Sequence, residues 1–127
     1  MENMTKQPKR RFSGNRNRKK VYISGPMTGL PNLNYEAFHK KADVLRKKGY
    51  DVANPAEHFN GRQDLERETY LKEDVKQLVA CDYITFLEGW TSSKGAVLEY
   101  LISLECGIKV LEQEEHCERC GNKRFWA

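Results

Sequence analysis

Two acidic residues, Asp74 and Glu99, lie among apolar positions in segments with helical periodicity. The predicted inward-facing stripes around them are Leu71, Val75 and Leu78 in residues 70–81, and Ala96, Leu98, Ile102 and Cys106 in residues 94–106. An ionised carboxylate on an inward face is costly unless a partner compensates it, so each acid is either a satisfied structural partner or part of a site. Two such acids on helices that flank one strand favour a shared site. Paired carboxylates suit glycosidic chemistry, in which one attacks or stabilises a cationic anomeric carbon and the other handles the sugar or the leaving group.

Two loops offer backbone N–H groups to a ligand. The first follows a strand and contains Gly25 and Gly29, which let the backbone approach a ligand closely. Its spacing matches neither the G-x-G-x-x-G fingerprint nor the P-loop, so P-loop hydrolysis of ATP is not expected. The second runs into the helix at Lys94, with Ser92 or Ser93 as the N-cap of an anion-binding helix terminus. A strand-to-helix turn and a helix cap explain the same residues without a ligand.

These residues must be positioned by alternating strands and helices. Apolar runs predict strands at 20–24, 50–53, 82–87 and 107–111, and apolar spacings of three or four predict helices at 34–48, 70–81 and 94–106. This alternation implies parallel pairing with right-handed crossovers. We therefore predict a three-layer α/β/α fold with a four- or five-strand parallel sheet of the Rossmann or flavodoxin-like kind. Such sheets bind ligands at the carboxyl ends of their strands, where the loops 25–32, 54–66 and 88–93 converge.

Charge divides the 127 residues into a basic segment, a body and a polar tail. Residues 1–20 hold eight of the 22 Lys and Arg residues and one of the 18 acids, which leaves residues 21–127 with a net charge of −3. We predict a disordered basic arm at 1–19, one domain at 20–111 and a tail at 112–127. The arm is either a solubilising segment or, through residues 1–20, a weak contact with nucleic acid. No apolar stretch suits a membrane span or a signal peptide, so we expect a cytoplasmic protein without a membrane partner.

The four cysteines lie in two different sequence contexts. Cys81 and Cys106 lie in apolar segments and are predicted to be small core residues. Cys117 and Cys120 form one C-x-x-C after His116 in the polar tail. Even with His116 these ligands fall short of the four that a structural zinc needs, so the tail is either inert or completes a metal site with a second chain.

Several of these motifs resemble the nucleoside 2-deoxyribosyltransferase superfamily over about residues 20–111. The resemblance is carried by Tyr22-Ile23-Ser24-Gly25-Pro26, the helix with Asp74, Ala80-Cys81-Asp82, Ser93-x-Gly95-x-x-x-Glu99 and Gly107. With Asn54-Pro55-Ala56-Glu57 and Gly89-Trp90, the chain looks most like a small branch that is frequent in phages. The closest functional model is the 2'-deoxynucleoside 5'-phosphate N-hydrolases, which are similarly short and have a serine six residues before the catalytic glutamate, as Ser93 is here.

The resemblance implies a role for each matching residue. Glu99 would be the nucleophile that attacks C1' of the deoxyribose, Asp74 would orient the nucleoside and assist departure of the base, and the hydroxyl of Tyr22 would position the glutamate. The implied substrate contacts are Ser24, Gly25, Met27, Thr28 and Gly29 in the first loop and Ser93 and Gly95 at the 5'-phosphate pocket.

Two positions and one segment limit what this resemblance implies. Asp82 corresponds to an acid that begins the third strand and is expected to be structural. Thr28 replaces a basic residue of the hydrolases, and residues 112–127 have no match to the segment that the family contributes to a neighbouring subunit's site.

These expectations combine into an N-glycosidase that cleaves or exchanges the base–sugar bond of a 2'-deoxynucleoside 5'-monophosphate without a metal or redox cofactor. The alternatives are a non-catalytic nucleotide-binding sensor or sequestering protein, and a nucleic-acid accessory protein built from the arm and the tail.

The two later helices carry more apolar residues than the sheet can cover: Val97, Leu101 and Leu104 on one helix and Val79 on the other. This surplus predicts a homodimer or larger assembly through residues 70–81 and 94–106, unless these residues cover the edge strands of a monomer.

Overall fold

The computed structural model describes residues 18–112, which form alternating strands and helices. The strands are β1 (Lys20–Ser24), β2 (Asp51–Ala53), β3 (Tyr83–Phe86) and β4 (Lys109–Val110), and the helices are α1 (Tyr35–Lys47), α2 (Arg67–Val79) and α3 (Lys94–Glu105). Short 3-10 segments lie in the loops after β1, β2 and β3, at Pro31–Asn34, Pro55–Gly61 and Trp90–Ser92.

The four strands form one parallel sheet in the order β2-β1-β3-β4. In the centre, Tyr22 of β1 pairs with Ala53 of β2 on one side and with Ile84 of β3 on the other. The chain moves outward from β1 through α1 and crosses back through α2, so the strand order reverses between β1 and β3. Ligands of such folds bind beside this reversal, at the carboxyl ends of the strands. The predicted three-layer α/β/α Rossmann-like fold is confirmed, with four strands among the described residues.

Side-chain alternation along β1 divides the core between the two faces of the sheet. Val21 and Ile23 face α1, whereas Tyr22 faces α2 and α3. The α1-side cluster comprises Val21, Ile23, Tyr35, Phe38, Ala42, Leu45, Ala56 and Leu111, and the other comprises Tyr22, Ala53, Leu78, Cys81, Ile84 and Ile108. Because both faces of a parallel sheet are covered by helices, β1 requires a continuous run of buried residues.

The inward face of α3 differs from its prediction. Ala96 is buried as expected, but Leu98 is 38% exposed and Cys106 lies in solvent after the end of the helix. Val97, predicted to face outward, is half-buried. The cause is that α3 is apolar around most of its circumference, so the spacing of apolar residues does not identify the face that meets the sheet.

Element ends differ by a few residues from their predicted positions. The structure starts α2 at Arg67 rather than at residue 70, because its first turn is polar and exposed and has no apolar periodicity. It limits β4 to Lys109–Val110, because Gly107 adopts a left-handed conformation (φ +74°) that belongs to the end of α3.

Several predictions concern parts of the chain outside the described residues. The basic arm up to residue 17 and the tail beyond residue 112 lie there. Within residues 18–112, no helix has both the length and the apolar character needed to cross a membrane.

Candidate active site

Glu99 is a buried carboxylate held by two hydroxyl groups of β1. It lies in the second turn of α3 and is 6% exposed. The hydroxyl of Tyr22 donates a hydrogen bond to its Oε2 at 2.8 Å, and the hydroxyl of Ser24 donates one to its Oε1 at 2.6 Å. Tyr22 and Ser24 are two residues apart on one strand, so strand alternation directs both side chains to the face that α3 covers.

Burial raises the pKa of Glu99 from 4.5 to about 7. The hydrogen bonds from Ser24 and Tyr22 oppose this shift because they stabilise the ionised form. The negative charge of Asp74 raises this pKa further, whereas His58 lowers it. The carboxylate therefore changes its charge close to neutral pH, which is unusual for a glutamate and typical of functional sites.

Tyr22 keeps its proton throughout the physiological range. Its side chain is fully buried, and burial raises the pKa of its phenol well above the ordinary value of 10.0, with the charges of Glu99 and Asp74 adding to the effect. The tyrosine is therefore a permanent hydrogen-bond donor to Glu99, which is the contact that the family resemblance implies for it.

Asp74 forms the second acidic centre, in contact with His58. Nδ1 of His58 lies 2.8 Å from Oδ1 of Asp74, and the two side chains are 9% and 17% exposed. Burial raises the pKa of Asp74, and the contact with His58 opposes that rise. The charges of Asp74 and His58 both influence the pKa of Glu99, so the three side chains interact electrostatically. The shared site that the sequence predicts for Asp74 and Glu99 stays a prediction.

The turn after β2 positions His58 through contacts of its neighbours. Asn54 is 1% exposed, and its side-chain oxygen accepts a hydrogen bond from the backbone N–H of Ala56 at 3.0 Å. Arg46 of α1 donates two hydrogen bonds of 2.9 Å to the carboxylate of Glu57. Because Glu57 precedes His58 directly, this bidentate pair anchors the backbone on one side of the histidine.

The other side of the same turn is held against α2. Phe59 adopts a left-handed backbone conformation (φ +54°), which is uncommon for a residue other than glycine. Its ring packs edge-on against Tyr70 of α2, with 5.8 Å between ring centroids. The hydroxyl of Tyr70 in turn donates to the carbonyl of Arg62 at 2.6 Å. The turn is thereby tied to the helix that carries Asp74.

The first loop contains residues with structural explanations of their own. A Cβ at Gly25 would lie 2.7 Å from the Cβ of Leu87, so only glycine lets the ends of β1 and β3 approach this closely. Met27 packs partly buried against the α1-side cluster. Thr28 and Gly29 are exposed, and Gly29 has a φ of +85°, which glycine adopts without strain.

Ser93 is the N-cap of α3. Its Oγ accepts a hydrogen bond from the backbone N–H of Ala96 at 3.2 Å, so of the two predicted caps it is Ser93 that fills this role. A Cβ at Gly95 would meet only the Oγ of Ser93, at 4.0 Å, so the first turn of α3 has open space beside it. This turn immediately precedes the one that carries Glu99.

No group of three or more His, Cys, Asp and Glu side chains with the geometry of a metal site occurs within residues 18–112. His116, Cys117 and Cys120, the predicted weak metal candidates, lie outside that part of the chain. Asp82, expected to be structural, accepts a hydrogen bond from the backbone N–H of Lys20 at 3.0 Å and so joins the amino ends of β3 and β1.

Residues 19–112 match the model of a family described as a domain of unknown function, DUF4406. The chain belongs to this family. The DUF4406 region includes both centres of the site, since it extends from before Tyr22 to beyond Glu99. A comparison with curated proteins gives no match.

Sequence reasoning on this DUF4406 domain missed His58. The histidine falls in a polar stretch that predicts only a loop, and its contact with Asp74 spans sixteen residues. A usable signal was present, since His58 closely follows the carboxyl end of a parallel strand, where ligand sites form. The contact between Ser24 and Glu99 was also missed, although the i, i+2 spacing from Tyr22 places both residues on one face.

Proposed function

We propose that the protein is an N-glycosidase that cleaves the base–sugar bond of a 2'-deoxynucleoside 5'-monophosphate. The observation that carries this proposal is the buried carboxylate of Glu99, which receives a proton donor on each oxygen and shares its electrostatic environment with the pair Asp74–His58. The resemblance to nucleoside 2-deoxyribosyltransferases supports the same chemistry, because the residues that it implicates as nucleophile, second acid and positioning tyrosine are Glu99, Asp74 and Tyr22.

The reaction proceeds in two displacements at C1'. A carboxylate oxygen of Glu99 forms a bond to C1' as the C1'–N bond breaks, and the electron pair of that bond leaves with the base. Water then adds to C1', releases a proton, and frees Glu99 as a carboxylate. If a second base intercepts the glycosyl ester instead of water, the same site carries out base exchange.

The pair Asp74–His58 supplies the proton that the departing base needs. Burial raises the pKa of Asp74, which favours its protonated form relative to that of an exposed aspartate. The transfer leaves a negative charge on Asp74, which is stabilised by His58, whose Nδ1 lies 2.8 Å from Oδ1 of Asp74. After hydrolysis, the proton released by water restores the pair.

The 5'-phosphate is assigned to the start of α3. A Cβ at Gly95 would meet only the Oγ of Ser93, at 4.0 Å, which leaves space for an anion beside the first helical turn. The N–H groups of Ala96 and Val97 already donate to Ser93, so the attraction for a phosphate comes from the positive end of the helix dipole. A phosphate held there would direct the sugar toward Glu99, one turn further along the same helix.

The deciding experiment is a mass-spectrometric screen of deoxynucleotides, ribonucleotides and nucleosides that scores free base and sugar phosphate. Wild-type protein should release base, Glu99→Gln should not, and Glu105→Gln should behave as wild type because Glu105 is exposed on the same helix. Repeating the assay with added free base separates hydrolysis from exchange. Tight nucleotide binding without base release would contradict the enzyme and favour the sensor, and release by Glu99→Gln would contradict the nucleophile.

We also propose that the protein acts in the cytoplasm, where free nucleotides occur, as a homodimer or larger assembly through α2 and α3. The supporting observation is an apolar surface on these helices, where Leu98, Leu101, Leu104 and Val79 are 38%, 52%, 55% and 50% exposed. Light scattering at micromolar concentration tests the assembly: a mass near that of one 14.8 kDa chain in the fully active protein would reject it.

A further inference from the structure

Ser24 stands out as a buried hydroxyl whose only proton is committed to Glu99. It is 1% exposed, and its Oγ lies 2.6 Å from Oε1 of Glu99, which is the shorter of the two hydroxyl contacts to this carboxylate. A hydroxyl has one proton to donate. Ser24 therefore cannot donate to a substrate without releasing Glu99, in contrast to the substrate contact that the family resemblance implies for it.

Each of the two hydroxyl groups donates to a different oxygen of the Glu99 carboxylate. Tyr22 occupies Oε2 and Ser24 occupies Oε1, and both come from the same rigid central strand. With one donor, the carboxylate could still rotate about its last side-chain bond. With a donor on each oxygen, its plane is fixed, and each oxygen keeps a lone pair for chemistry.

The other ionisable groups that influence Glu99 come from different elements. Asp74 of α2 disfavours its ionised form, and His58 of the turn after β2 favours it. Neither donates a hydrogen bond to Glu99 among the contacts of the described residues. The ionised form thus depends on the two β1 hydroxyls for its hydrogen bonds.

We propose that Ser24 is a positioning residue that orients Glu99 and keeps it ionised, rather than a contact to the substrate. The catalytic consequence rests on the proposed function, whereas the effect on the acidity of Glu99 does not. In Ser24→Ala the carboxylate loses the donor on Oε1, so its ionised form becomes less favourable and its orientation less fixed.

The test measures the pKa of Glu99 in the ligand-free protein by carbon-13 NMR, with Glu99→Gln identifying the signal. Loss of one hydrogen bond to a charged group should raise this pKa by about one unit in Ser24→Ala. Ser24→Cys, with a weaker donor of similar size, should give a smaller rise and carries the test if the alanine variant does not fold. The matched control is Ser103→Ala, since Ser103 is also fully buried but donates to the carbonyl of Tyr100, and here the pKa should not change.

Turnover provides the second readout. A rise of one unit in the pKa of Glu99 from about 7 reduces its ionised fraction at neutral pH about fivefold. The kcat of Ser24→Ala should therefore fall by about that factor, with KM little changed. At alkaline pH, where Glu99 is ionised in both proteins, the difference in kcat between the variant and the wild type should be smaller. An unchanged pKa of Glu99, or a raised KM as the sole defect, would overturn the proposal. If wild-type protein releases no base, the NMR result still decides the role of Ser24, so the two proposals fail separately.

Discussion

Replacing Glu99 with glutamine should stabilise the protein at alkaline pH while abolishing the proposed activity. Glutamine has nearly the same size as a protonated glutamate and cannot ionise. Well below pH 4.5, Glu99 is protonated in both the folded and the unfolded chain, so the two proteins should be similarly stable. The comparison at higher pH isolates the cost of the buried charge.

The size of the effect follows from the pKa of Glu99. As pH rises above 4.5, the unfolded chain loses this proton while the folded protein retains it up to about pH 7, so the unfolded state gains stability. The contribution of Glu99 to the wild-type free energy of unfolding therefore decreases through this window and then levels off. At 1.36 kcal/mol per pKa unit, the rise from 4.5 to about 7 corresponds to about 3 kcal/mol.

Urea denaturation at several pH values measures this difference directly. The free energy of unfolding of Glu99→Gln minus that of the wild type should increase by about 3 kcal/mol between about pH 4.5 and pH 8. Titrations common to both proteins largely cancel in the difference. Glu105→Gln is the control and should give a small difference that is constant with pH. A constant difference for Glu99→Gln would refute the reasoning, because Glu99 would then not be a buried carboxylate with a raised pKa.

Three other substitutions test the strand packing, the ion pair and the proposed interface around the site. Gly25→Ala should lower the free energy of unfolding by about 1–3 kcal/mol in thermal or urea denaturation, since its Cβ would lie 2.7 Å from the Cβ of Leu87; wild-type stability would contradict this close approach. Glu57→Gln should weaken the anchor that Arg46 provides and reduce the proposed base release with a small loss of stability, and unchanged activity would show that the anchor is dispensable. Leu101→Lys should give a monomer by light scattering if α3 forms the proposed interface, and an unchanged mass would place the interface elsewhere.

The strand that carries the two donors could be predicted from the sequence almost completely. The apolar run at 20–24 ends before Gly25-Pro26, and the structure begins and ends β1 at the predicted residues. Alternation then places Tyr22 on one face and its neighbours on the other. These features depend on local pattern, which a single sequence contains in full.

The face of α3 could not be predicted in the same way. The segment offers leucines on several sides, and its periodicity places both Glu99 and Leu98 on the inward face. The structure buries Glu99, together with Ala96 and Ser103, but leaves Leu98 38% exposed. The orientation follows from hydrogen bonds to hydroxyls of β1, more than seventy residues earlier in the chain. Contacts of this range leave no trace in the local pattern.

The position of His58 shows a third case, in which the local pattern was informative but incomplete. Asn54 followed by proline predicts a turn, and the structure has one, with Asn54 as its cap. What aims the histidine at Asp74 is the left-handed residue Phe59 on one side and the ion pair of Glu57 with a helix residue on the other. Neither the backbone conformation of a phenylalanine nor an ion-pair partner eleven residues away follows from the turn motif.

The presence of a carboxylate at residue 99 is itself an argument for chemistry. A glutamine there could hydrogen-bond to both Tyr22 and Ser24, because hydroxyl groups accept as well as donate. It would do so without the free-energy cost of about 3 kcal/mol that ionisation of the buried glutamate carries near and above neutral pH. A purely structural role for residue 99 is therefore served better by the amide. The acid supplies what the amide lacks, a negatively charged oxygen held by two donors beside a second acid and a histidine, and this is the group that attack on an anomeric carbon requires.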